Sequence, residues 1–232
     1  MTNSIAIIPA RGGSKRIPKK NIKNFNERPM IEYAIETAIK SDLFKNIIVS
    51  SDDASILKVA SYFDSRVITH NRDITLADDS TPTVPVIRDA INFYEKDIEF
   101  TYVCCIYPCV PLLHHDMLKN AHQNLLKKSN HYIFPIIEYV SPIQRALKIS
   151  VNNTLKPIFP ENQTNRTQDL EKAYYDSGQF YFGHKELWKS EVQLHSKSIG
   201  IIAKPYDFVD IDNLEDWKFA ENLHKIKYEN SL

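Results

Sequence analysis

The chain has no net charge, no long apolar run and neither of the common glycine-rich nucleotide motifs. Its 29 basic residues balance 29 acidic residues, so no global attraction to nucleic acid or to a membrane surface is expected. No stretch approaches the length of a membrane span, and the N-terminal MTNSIAII has no charged region followed by a long apolar segment. We therefore expect a cytoplasmic protein that binds neither nucleic acid nor membrane.

Cysteine is also scarce. Cys104, Cys105 and Cys109 lie together in YVCCIYPCV. Adjacent residues of a strand point to opposite faces, and the sequence has no second cluster that would complete a metal site. A nucleophilic cysteine would need a partner base that the sequence does not place. We predict three free, buried thiols.

Apolar strands and amphipathic helices alternate along much of the chain. Strands are predicted at 4–9, 46–51, 66–69, 101–107, 131–137, 179–183 and 198–203, and helices at 29–39, 54–62, 84–94, 115–127, 185–188 and 213–227. This order predicts an α/β protein with a Rossmann-like three-layer fold, in which a mainly parallel sheet is wound with right-handed crossovers. The length fits one domain covering residues 1–232.

The alternation stops between Tyr139 and Asp176. This segment is rich in Asn, Gln, Pro and Thr, and its only strand signal is a weak one at 146–151. A flexible linker is one interpretation, but its charged, amide and aromatic side chains are unusual for a linker. Because long ordered loops in compact domains are usually functional or form interfaces, we predict that residues 139–176 are an insertion with a role of its own.

The sequence IAIIPARGGSKRIPKKN, residues 5–21, runs from the first strand into a turn rich in glycine and cations. Gly12 and Gly13 allow the backbone to approach a ligand, and the cations complement a phosphate chain. The spacing matches neither GxxxxGK[ST] nor GxGxxG, which argues against a P-loop ATPase and a dehydrogenase. A solvated basic loop is the alternative. Since open α/β sheets bind ligands beyond the carboxyl ends of their strands, we favour a triphosphate site.

Two further motifs carry polar side chains suited to a nucleotide and its metal. Asp210 and Asp212 are two residues apart, so in a strand both carboxylates would face one divalent cation, for which Mg²⁺ is the natural choice. An exposed strand edge followed by a helix cap is the alternative. In HNRDITLADDSTPT, Arg72 could contact a base edge or a phosphate, while Asp78 and Asp79 read equally well as a helix-capping pair.

In combination these motifs resemble the CMP-sialic acid synthetase family, the acylneuraminate cytidylyltransferases. The resemblance rests on IAIIPARGGSKRIPKKN, VSSDDASILKVASYF, NRDITLADDSTPTVPVIRDAI, YPCVPL and VDIDNLEDW, and it covers nearly the whole chain. IYPCVP, SPIQRALKI and NRTQDLEKAYYDSGQFYFG are closest to the members that activate pseudaminic acid. Tyr107 stands where the sialic acid enzymes tend to carry glutamine, a departure that concerns the sugar and not the nucleotide.

The resemblance implies transfer of CMP from CTP to the anomeric hydroxyl of a nine-carbon keto sugar acid, with release of pyrophosphate. The CMP-sugar would serve surface or flagellar glycosylation, and Mg²⁺ would be the cofactor. Catalytic roles fall to Arg11, Lys20, Asp210 and Asp212, of which Asp210 and Asp212 hold the metal. The implied nucleotide-binding residues are Arg11, Gly12, Gly13, Ser14, Lys15, Lys20, Asn21, Arg72, Thr81 and Thr83.

The same resemblance implies a homodimer in which residues 139–176 help to close the sugar pocket of the other subunit. Because Arg166 could pair with Asp169, Arg145 is favoured for the sugar carboxylate. The implied sugar-binding residues are Tyr107, Gln144, Arg145, Arg166, Gln168, Asp176 and Gln179.

Other functions stay open at this point. Relatives activate legionaminic, sialic or 2-keto-3-deoxy-octonic acid. Outside the family, a nucleotide-sugar-dependent glycosyltransferase also combines a Rossmann-like sheet with a D-x-D metal site, although that motif typically comes midway through the chain and not near its end. A noncatalytic nucleotide binder is the third class, and sugar-dependent release of pyrophosphate would separate it from an enzyme.

Overall fold

The computed structural model describes residues 3–78 and 80–228. Within them twelve strands and six α-helices follow one another, with short 3₁₀ turns between them. The strands are β1 Ser4–Pro9, β2 Asn24–Phe25, β3 Arg28–Pro29, β4 Asn46–Ser51, β5 Val67–Asn71, β6 Tyr102–Ile106, β7 Tyr132–Glu138, β8 Leu147–Ile149, β9 Leu155–Pro157, β10 Tyr174–Asp176, β11 Phe180–His184 and β12 Ser198–Ala203. The helices are α1 Met30–Ser41, α2 Ala54–Ser61, α3 Thr83–Tyr94, α4 His115–Lys127, α5 Lys185–Lys189 and α6 Leu214–Tyr228.

Eight of the strands form one mainly parallel sheet. Its order is β5, β4, β1, β6, β11 and β7, and both β10 and β12 also pair with β7. Pairing is parallel between β1 and each of its neighbours β4 and β6, between β4 and β5, and between β7 and β12. Only β10 and β11 run in the opposite direction, so the start of β11 lies at the edge of the sheet where the parallel strands end.

Helices cover both faces of the sheet and make three layers. On one face Ala6 and Ile8 of β1 pack in a core with α1, α2 and α4. On the other face Ile5 and Ile7 pack with α3 and α5. A strand buried on both sides by helices must be apolar throughout, which explains the continuous run SIAIIP at β1.

Cys104 and Cys105 show the same alternation in β6. Their thiols are free and buried, and they belong to the cores on opposite faces of the sheet. Cys109 is also free but only partly buried. The predicted free thiols are therefore confirmed, except that Cys109 is not fully enclosed.

The segment 139–176 leaves the sheet after β7 and returns through β10. It contains the antiparallel pair β8 and β9 and three 3₁₀ turns. Its apolar side chains are exposed to an unusual degree, as in Val140 at 91% and Ile149 at 69%. The weak strand predicted at 146–151 is found as β8, whereas its partner β9 and the return strand β10 were not predicted.

The predicted order of strands and helices agrees with the structure, with ends that differ by at most two residues. The strand expected at Asp210 and Asp212 was wrong, because these residues lie in a segment that belongs to no strand. The antiparallel direction of β11 is a feature for which no prediction had been made. No helix within residues 3–78 and 80–228 has the length and apolarity that a membrane crossing requires.

Candidate active site

A cavity of about 830 Å³ opens at the carboxyl ends of the parallel strands. Its walls come from the loops after β1, β5 and β6, from the turn between β10 and β11, and from the segment before α6. Topology explains this position, because the ends of parallel strands lie at one edge and their loops converge there. The lining residues include Arg11, Ser14, Lys15, Arg16, Lys20, Asn21, Arg72, Thr81, Thr83, Tyr107, Asp176, Asp210 and Asp212.

The loop after β1 is held in place by hydrogen bonds to its neighbours. The backbone N–H of Gly12 donates to Asp52 Oδ1 at 2.9 Å. The Asn21 side chain donates to the Arg11 carbonyl at 2.8 Å and accepts from the Cys109 thiol at 3.3 Å. Burial raises the pKa of Cys109 to about 12, so this thiol acts as a neutral donor.

Gly12 is required by the close approach of the loop to the residue that begins α2. A Cβ atom at Gly12 would lie 2.8 Å from the Cβ of Asp53, closer than real Cβ contacts allow. Asp53 cannot easily move aside, because its carboxylate accepts from the Ser55 N–H at 2.7 Å and caps α2. A Cβ atom at Gly13 would meet no atom of the described residues within 4 Å. The two adjacent glycines therefore have different structural roles.

A small apolar cluster joins the loop after β1 to the segment before α6. Ile17 of the loop is fully buried beside Phe25, and Ile211 and Trp217 belong to the same cluster. Lys20 Nζ donates to the carbonyl of Ile211. Since Ile211 points into this core, its neighbours Asp210 and Asp212 are directed towards the cavity on either side of it.

The carboxylates of Asp210 and Asp212 face the cations of the loop. Arg16 Nη2 lies 2.7 Å from Asp212 Oδ1. Partial desolvation, together with the charge of Asp212, raises the pKa of Asp210, and the charges of Lys20 and Arg16 oppose this rise. The negative charges of the two carboxylates repel each other, and a divalent cation bound by both would remove this repulsion. Carboxylate oxygens are ligands that Mg²⁺ prefers. The residues present therefore fit a magnesium site.

The helix cap before α6 is made by other side chains. Asn213 Oδ1 accepts from the N–H groups of Glu215 and Asp216, at 2.8 and 3.0 Å. Asp216 in return accepts from the N–H groups of Asp212 and Asn213 at 3.0 Å. The side chains of Asp210 and Asp212 therefore do not cap α6. This argues against the alternative interpretation of the motif, a strand edge followed by a helix cap.

Arg72 is a buried cation in the wall of the cavity. Only 6% of its surface is exposed, and burial lowers the pKa of its guanidinium, while Asp52 has the opposite effect. Nη2 donates to the Ser50 carbonyl at 2.7 Å and Nη1 to the Leu76 carbonyl at 3.4 Å. Its buried Nε atom has no hydrogen-bond acceptor among the residues that the structure describes. Because a buried donor is costly to leave unpaired, this atom favours a ligand acceptor nearby.

The threonines near Arg72 differ in their hydrogen bonds. The Thr81 hydroxyl donates to Asp78 Oδ1 at 2.7 Å, and the same oxygen accepts from the N–H groups of Ser80 and Thr81. Asp78 thus stabilises the turn before α3, while Asp79 lies outside the described residues. The Thr83 hydroxyl shares a hydrogen bond of 2.6 Å with the hydroxyl of Tyr107.

A chain of aromatic and acidic side chains forms the next wall. Burial raises the pKa of Tyr107 to about 12, and its ring meets Tyr181 edge to face at 5.8 Å. Tyr181 donates to Asp176 Oδ2 at 2.7 Å, and the ring nitrogen Nε2 of His195 lies 2.8 Å from the same oxygen. The Gly178 N–H donates to Asp176 Oδ1 at 2.8 Å. Asp176 is therefore fixed by three donors.

Several predicted site residues lie outside this cavity. Gln144 donates to the Glu171 carbonyl, Arg145 donates to the carbonyls of Gln163 and Asn165, and Arg166 pairs with Asp169 at 2.8 Å. These residues and Gln168 belong to the segment 139–176 and line no part of the cavity in their own chain. Gln179 is 2% exposed and contacts the Ser177 hydroxyl. Gly12 and Gly13 support the loop without lining the cavity.

Sequence reasoning missed other residues of the cavity. Arg16 lines the cavity but was not among the predicted site residues. Its sequence signal was present, because it is the second basic residue after the two glycines. The other missed residues are Tyr175, Ser177, Gly178 and Phe208. The first three reach the cavity because β10 returns antiparallel, and Phe208 because the segment after β12 folds back. No local motif indicated either feature.

Comparison with protein families gives a match over nearly the whole chain. A family model described as cytidylyltransferase matches residues 5–230. The chain belongs to the cytidylyltransferase family. Two pseudaminic acid cytidylyltransferases of Campylobacter jejuni, from serotypes O:2 and O:23/36, are 37% and 36% identical over 231 residues, and the match covers 99% of each chain. N-acylneuraminate cytidylyltransferase A of Danio rerio is 31% identical over 93% of this chain and 49% of that protein.

Solved structures share the fold at low sequence identity. A CMP:2-keto-3-deoxy-manno-octonic acid synthetase complexed with CTP has a TM-score of 0.69 and 14% identity, covering 97% of this chain and 99% of the other. A 4-diphosphocytidyl-2C-methyl-D-erythritol synthase from Anaerococcus prevotii has a TM-score of 0.64 and covers 95% of both chains. The predicted Rossmann-like fold and the prediction of a CTP-dependent nucleotidyltransferase are thus confirmed.

Proposed function

We propose that this protein transfers CMP from CTP to the anomeric hydroxyl of a nine-carbon keto sugar acid, most specifically pseudaminic acid. The main support for this proposal is a cavity that the cations of a glycine-containing loop line together with Asp210 and Asp212. Full-length identity of 36–37% to pseudaminic acid cytidylyltransferases supports the choice of sugar. A cytoplasmic location is part of the proposal, because CTP is supplied there.

The loop after β1 binds the triphosphate in this proposal. Arg11, Lys15 and Lys20 line the cavity and supply positive charge where phosphate oxygens gain negative charge during transfer. Phosphoryl transfer needs little covalent participation by the protein, so positioning and electrostatic stabilisation carry most of the rate. Ser14 and Asn21 complete this wall, and the Asn21 amide fixes the loop through its bond to the Arg11 carbonyl.

Asp210 and Asp212 hold Mg²⁺ in the proposed mechanism. When bound, the ion neutralises charge on the phosphate oxygens and helps to orient the α-phosphate towards the sugar hydroxyl. The two carboxylates reach the cavity because Ile211 is anchored in the apolar cluster beneath the loop. Lys20 donates a hydrogen bond to the Ile211 carbonyl, which lies between these two aspartates in sequence. The proposed phosphate ligand and the proposed metal ligands are therefore connected directly.

In this proposal the base and the sugar bind in adjacent parts of the cavity. Arg72 and Thr83 form the cytosine side, where the buried Nε of Arg72 offers a donor to the base. Tyr107 and Asp176 form the sugar side, and the hydrogen bond of Tyr107 to Thr83 joins the two sides. Tyr107 is partly buried and its hydroxyl is oriented by Thr83, so it is suited to select among sugar acids by hydrogen bonding.

We also propose that the working unit is a homodimer. The segment 139–176 exposes apolar side chains that a second subunit would cover, including Val140, Ile149 and Val151. Docking of this segment would bring Gln144, Arg145, Arg166 and Gln168 towards the sugar pocket of the partner, where they could have the sugar-binding role that the sequence predicts for them. Arg145 stays our candidate for the sugar carboxylate: Arg166 pairs with a competing carboxylate, that of Asp169, whereas Arg145 donates to the neutral carbonyls of Gln163 and Asn165, which a sugar carboxylate can displace more readily.

The decisive experiment is a panel of sugar acids with CTP and Mg²⁺, in which release of pyrophosphate is followed. We expect pseudaminic acid to have the highest kcat/KM, followed by legionaminic, sialic and 2-keto-3-deoxy-octonic acids. UTP should react about fivefold to 150-fold more slowly than CTP, because it leaves a buried group unpaired at a cost of about 1–3 kcal/mol. Pyrophosphate release that does not depend on any sugar acid, or equal rates with UTP, would contradict the proposal.

Separate measurements test the pocket and the dimer. Tyr107→Gln should change the ratio of kcat/KM for pseudaminic and sialic acids, and an unchanged ratio would remove Tyr107 from the specificity site. Sedimentation velocity at micromolar concentration should show a dimer, which Ile149→Asp weakens. Tyr62→Asp is the matched control, because Tyr62 is 79% exposed and lies at the end of α2. A fully active wild-type monomer would contradict the dimer.

A further inference from the structure

Arg16 and Asp212 form an ion pair across the mouth of the cavity. Arg16 Nη2 lies 2.7 Å from Asp212 Oδ1, and both side chains retain solvent contact, at 69% and 40% exposure. The pair joins the phosphate-binding loop to the acidic segment, although 196 residues separate the two in sequence. In this contact a cation of the phosphate-binding loop pairs with a proposed metal ligand.

The same carboxylate cannot serve both partners equally well. A divalent cation bound by Asp210 and Asp212 would compete with the Arg16 guanidinium for the oxygens of Asp212, and would repel its positive charge. A guanidinium released at this point would lie in the wall that carries Arg11, Lys15 and Lys20. Its planar fork matches the oxygens of a phosphate group, so CTP would provide a replacement partner.

The backbone around the pair is fixed, so the exchange involves side chains only. Ile211 is 2% exposed, and the N–H of Asp212 is held by Asp216 at 3.0 Å. Ile17, the residue after Arg16, is fully buried in the same apolar cluster as Ile211. Neither chain segment needs to move when the ion pair opens.

We propose that Arg16 is a partner-switching residue that couples metal binding to CTP binding. In the free enzyme the Arg16 guanidinium pairs with the Asp212 carboxylate. When the cation and CTP bind together, the guanidinium leaves this carboxylate and binds the triphosphate. This inference rests on the proposed function for the identity of the nucleotide. It predicts that Arg16 opposes metal binding to the free enzyme and favours CTP binding to the metal-loaded enzyme.

Two measurements on Arg16→Gln separate these opposite effects. Mn²⁺ binding to the free enzyme, measured by electron paramagnetic resonance, should tighten by about twofold to fivefold, the range for losing one exposed ion pair as a competitor. The KM for CTP at saturating Mg²⁺ should instead rise by about tenfold to a hundredfold, as expected when one charge-assisted phosphate contact is lost. A merely structural role would not move the two affinities in opposite directions.

Two further variants provide the controls. Arg16→Lys keeps the charge and should restore part of the CTP affinity, although not the bidentate contact. Arg66→Gln removes another arginine that pairs with an acidic residue, Asp64 at 3.1 Å, and Arg66 does not line the cavity. It should leave both affinities unchanged. Circular dichroism melts establish that each variant is folded.

An unchanged or weaker Mn²⁺ affinity in Arg16→Gln overturns the proposal, whatever the activity. An unchanged KM for CTP overturns it as well, because the guanidinium would then have no phosphate partner. Failure of the proposed function has a different signature, since the wild-type enzyme would release no pyrophosphate with any sugar acid. The Mn²⁺ titration of the free enzyme requires no sugar acid and no turnover, so the two failures are distinguishable.

Discussion

Substitution of Gly12 by alanine tests how the phosphate-binding loop is held. The added Cβ would lie 2.8 Å from Asp53 Cβ and 2.9 Å from Asp53 Oδ2. Because Asp53 caps α2 through the Ser55 N–H, the clash must displace either the loop or the helix start. Displacement of the loop also disturbs the hydrogen bond from the Gly12 N–H to Asp52.

The expected loss of stability follows from these contacts. Overpacking of a close contact costs about 1–3 kcal/mol, and weakening of an N-cap costs about 0.5–2 kcal/mol. Replacement of glycine by alanine restricts the unfolded chain and returns about 0.4–1 kcal/mol. We therefore expect Gly12→Ala to lower the free energy of unfolding by about 1–3 kcal/mol, or the Tm by about 2–12 °C for a chain of this size.

Gly13→Ala is the matched control, one residue further along the same loop. Its Cβ would meet no atom within 4 Å, so its free energy of unfolding should stay within about 0.5 kcal/mol of wild type or rise slightly. Urea denaturation followed by circular dichroism measures both variants. Pyrophosphate release should show kcat/KM for CTP reduced by about tenfold to a hundredfold in Gly12→Ala, because the loop cations are misplaced.

Comparison of the two glycines decides whether this reasoning is correct. Equal stability of Gly12→Ala and wild type would show that Asp53 yields without cost and that the close approach has no structural consequence. Equal destabilisation by both substitutions would show that the loop needs glycine for its backbone freedom and not for the space beside Asp53.

Three further predictions concern single side chains of the cavity. Asp210→Asn should abolish turnover yet be at least as stable as wild type at pH 7. The pKa of Asp210 is raised in the folded state, so ionisation of this carboxyl lowers the free energy of unfolding as the pH rises above about 4. Urea denaturation in Mg²⁺-free buffer measures the stability of both proteins. Loss of folded structure would contradict a metal-binding role. Tyr107→Phe should cost about 1 kcal/mol of unfolding free energy through loss of the 2.6 Å bond to Thr83, with Tyr62→Phe as the exposed control. Since the pKa of Cys109 is about 12, iodoacetamide at pH 7.5 should leave activity unchanged over an hour, and rapid inactivation prevented by Cys109→Ser would refute this.

Much of the fold and part of the site could be predicted from local sequence patterns. Period and length distinguish buried strands such as Ser4–Pro9 from amphipathic helices such as His115–Lys127, and both have the predicted bounds. Alternation of strands and helices implies parallel pairing, and parallel pairing places the loop of Arg11 and Lys20 at the ligand-binding edge. These conclusions needed no long-range contact.

Other features depended on contacts between distant parts of the chain. The antiparallel return of β10 and β11, which brings Asp176 to the cavity, has no local signal because strand direction is set by pairing with β6 and β7. The pairing of Arg16 with Asp212 likewise required the apolar cluster of Ile17 and Ile211 to bring the two segments together.

The sequence by itself therefore determined the class of fold, the family and the chemical character of the two ends of the site. Such properties follow from periodicity and from short motifs, in which all the necessary atoms are close in the chain. Tertiary structure alone decided which side chains meet. It separated Asp210 and Asp212 from the helix cap formed by Asn213 and Asp216, and it placed Arg145 outside the cavity of its own chain. Packing of residues far apart in sequence is the physical reason, since no local pattern encodes it.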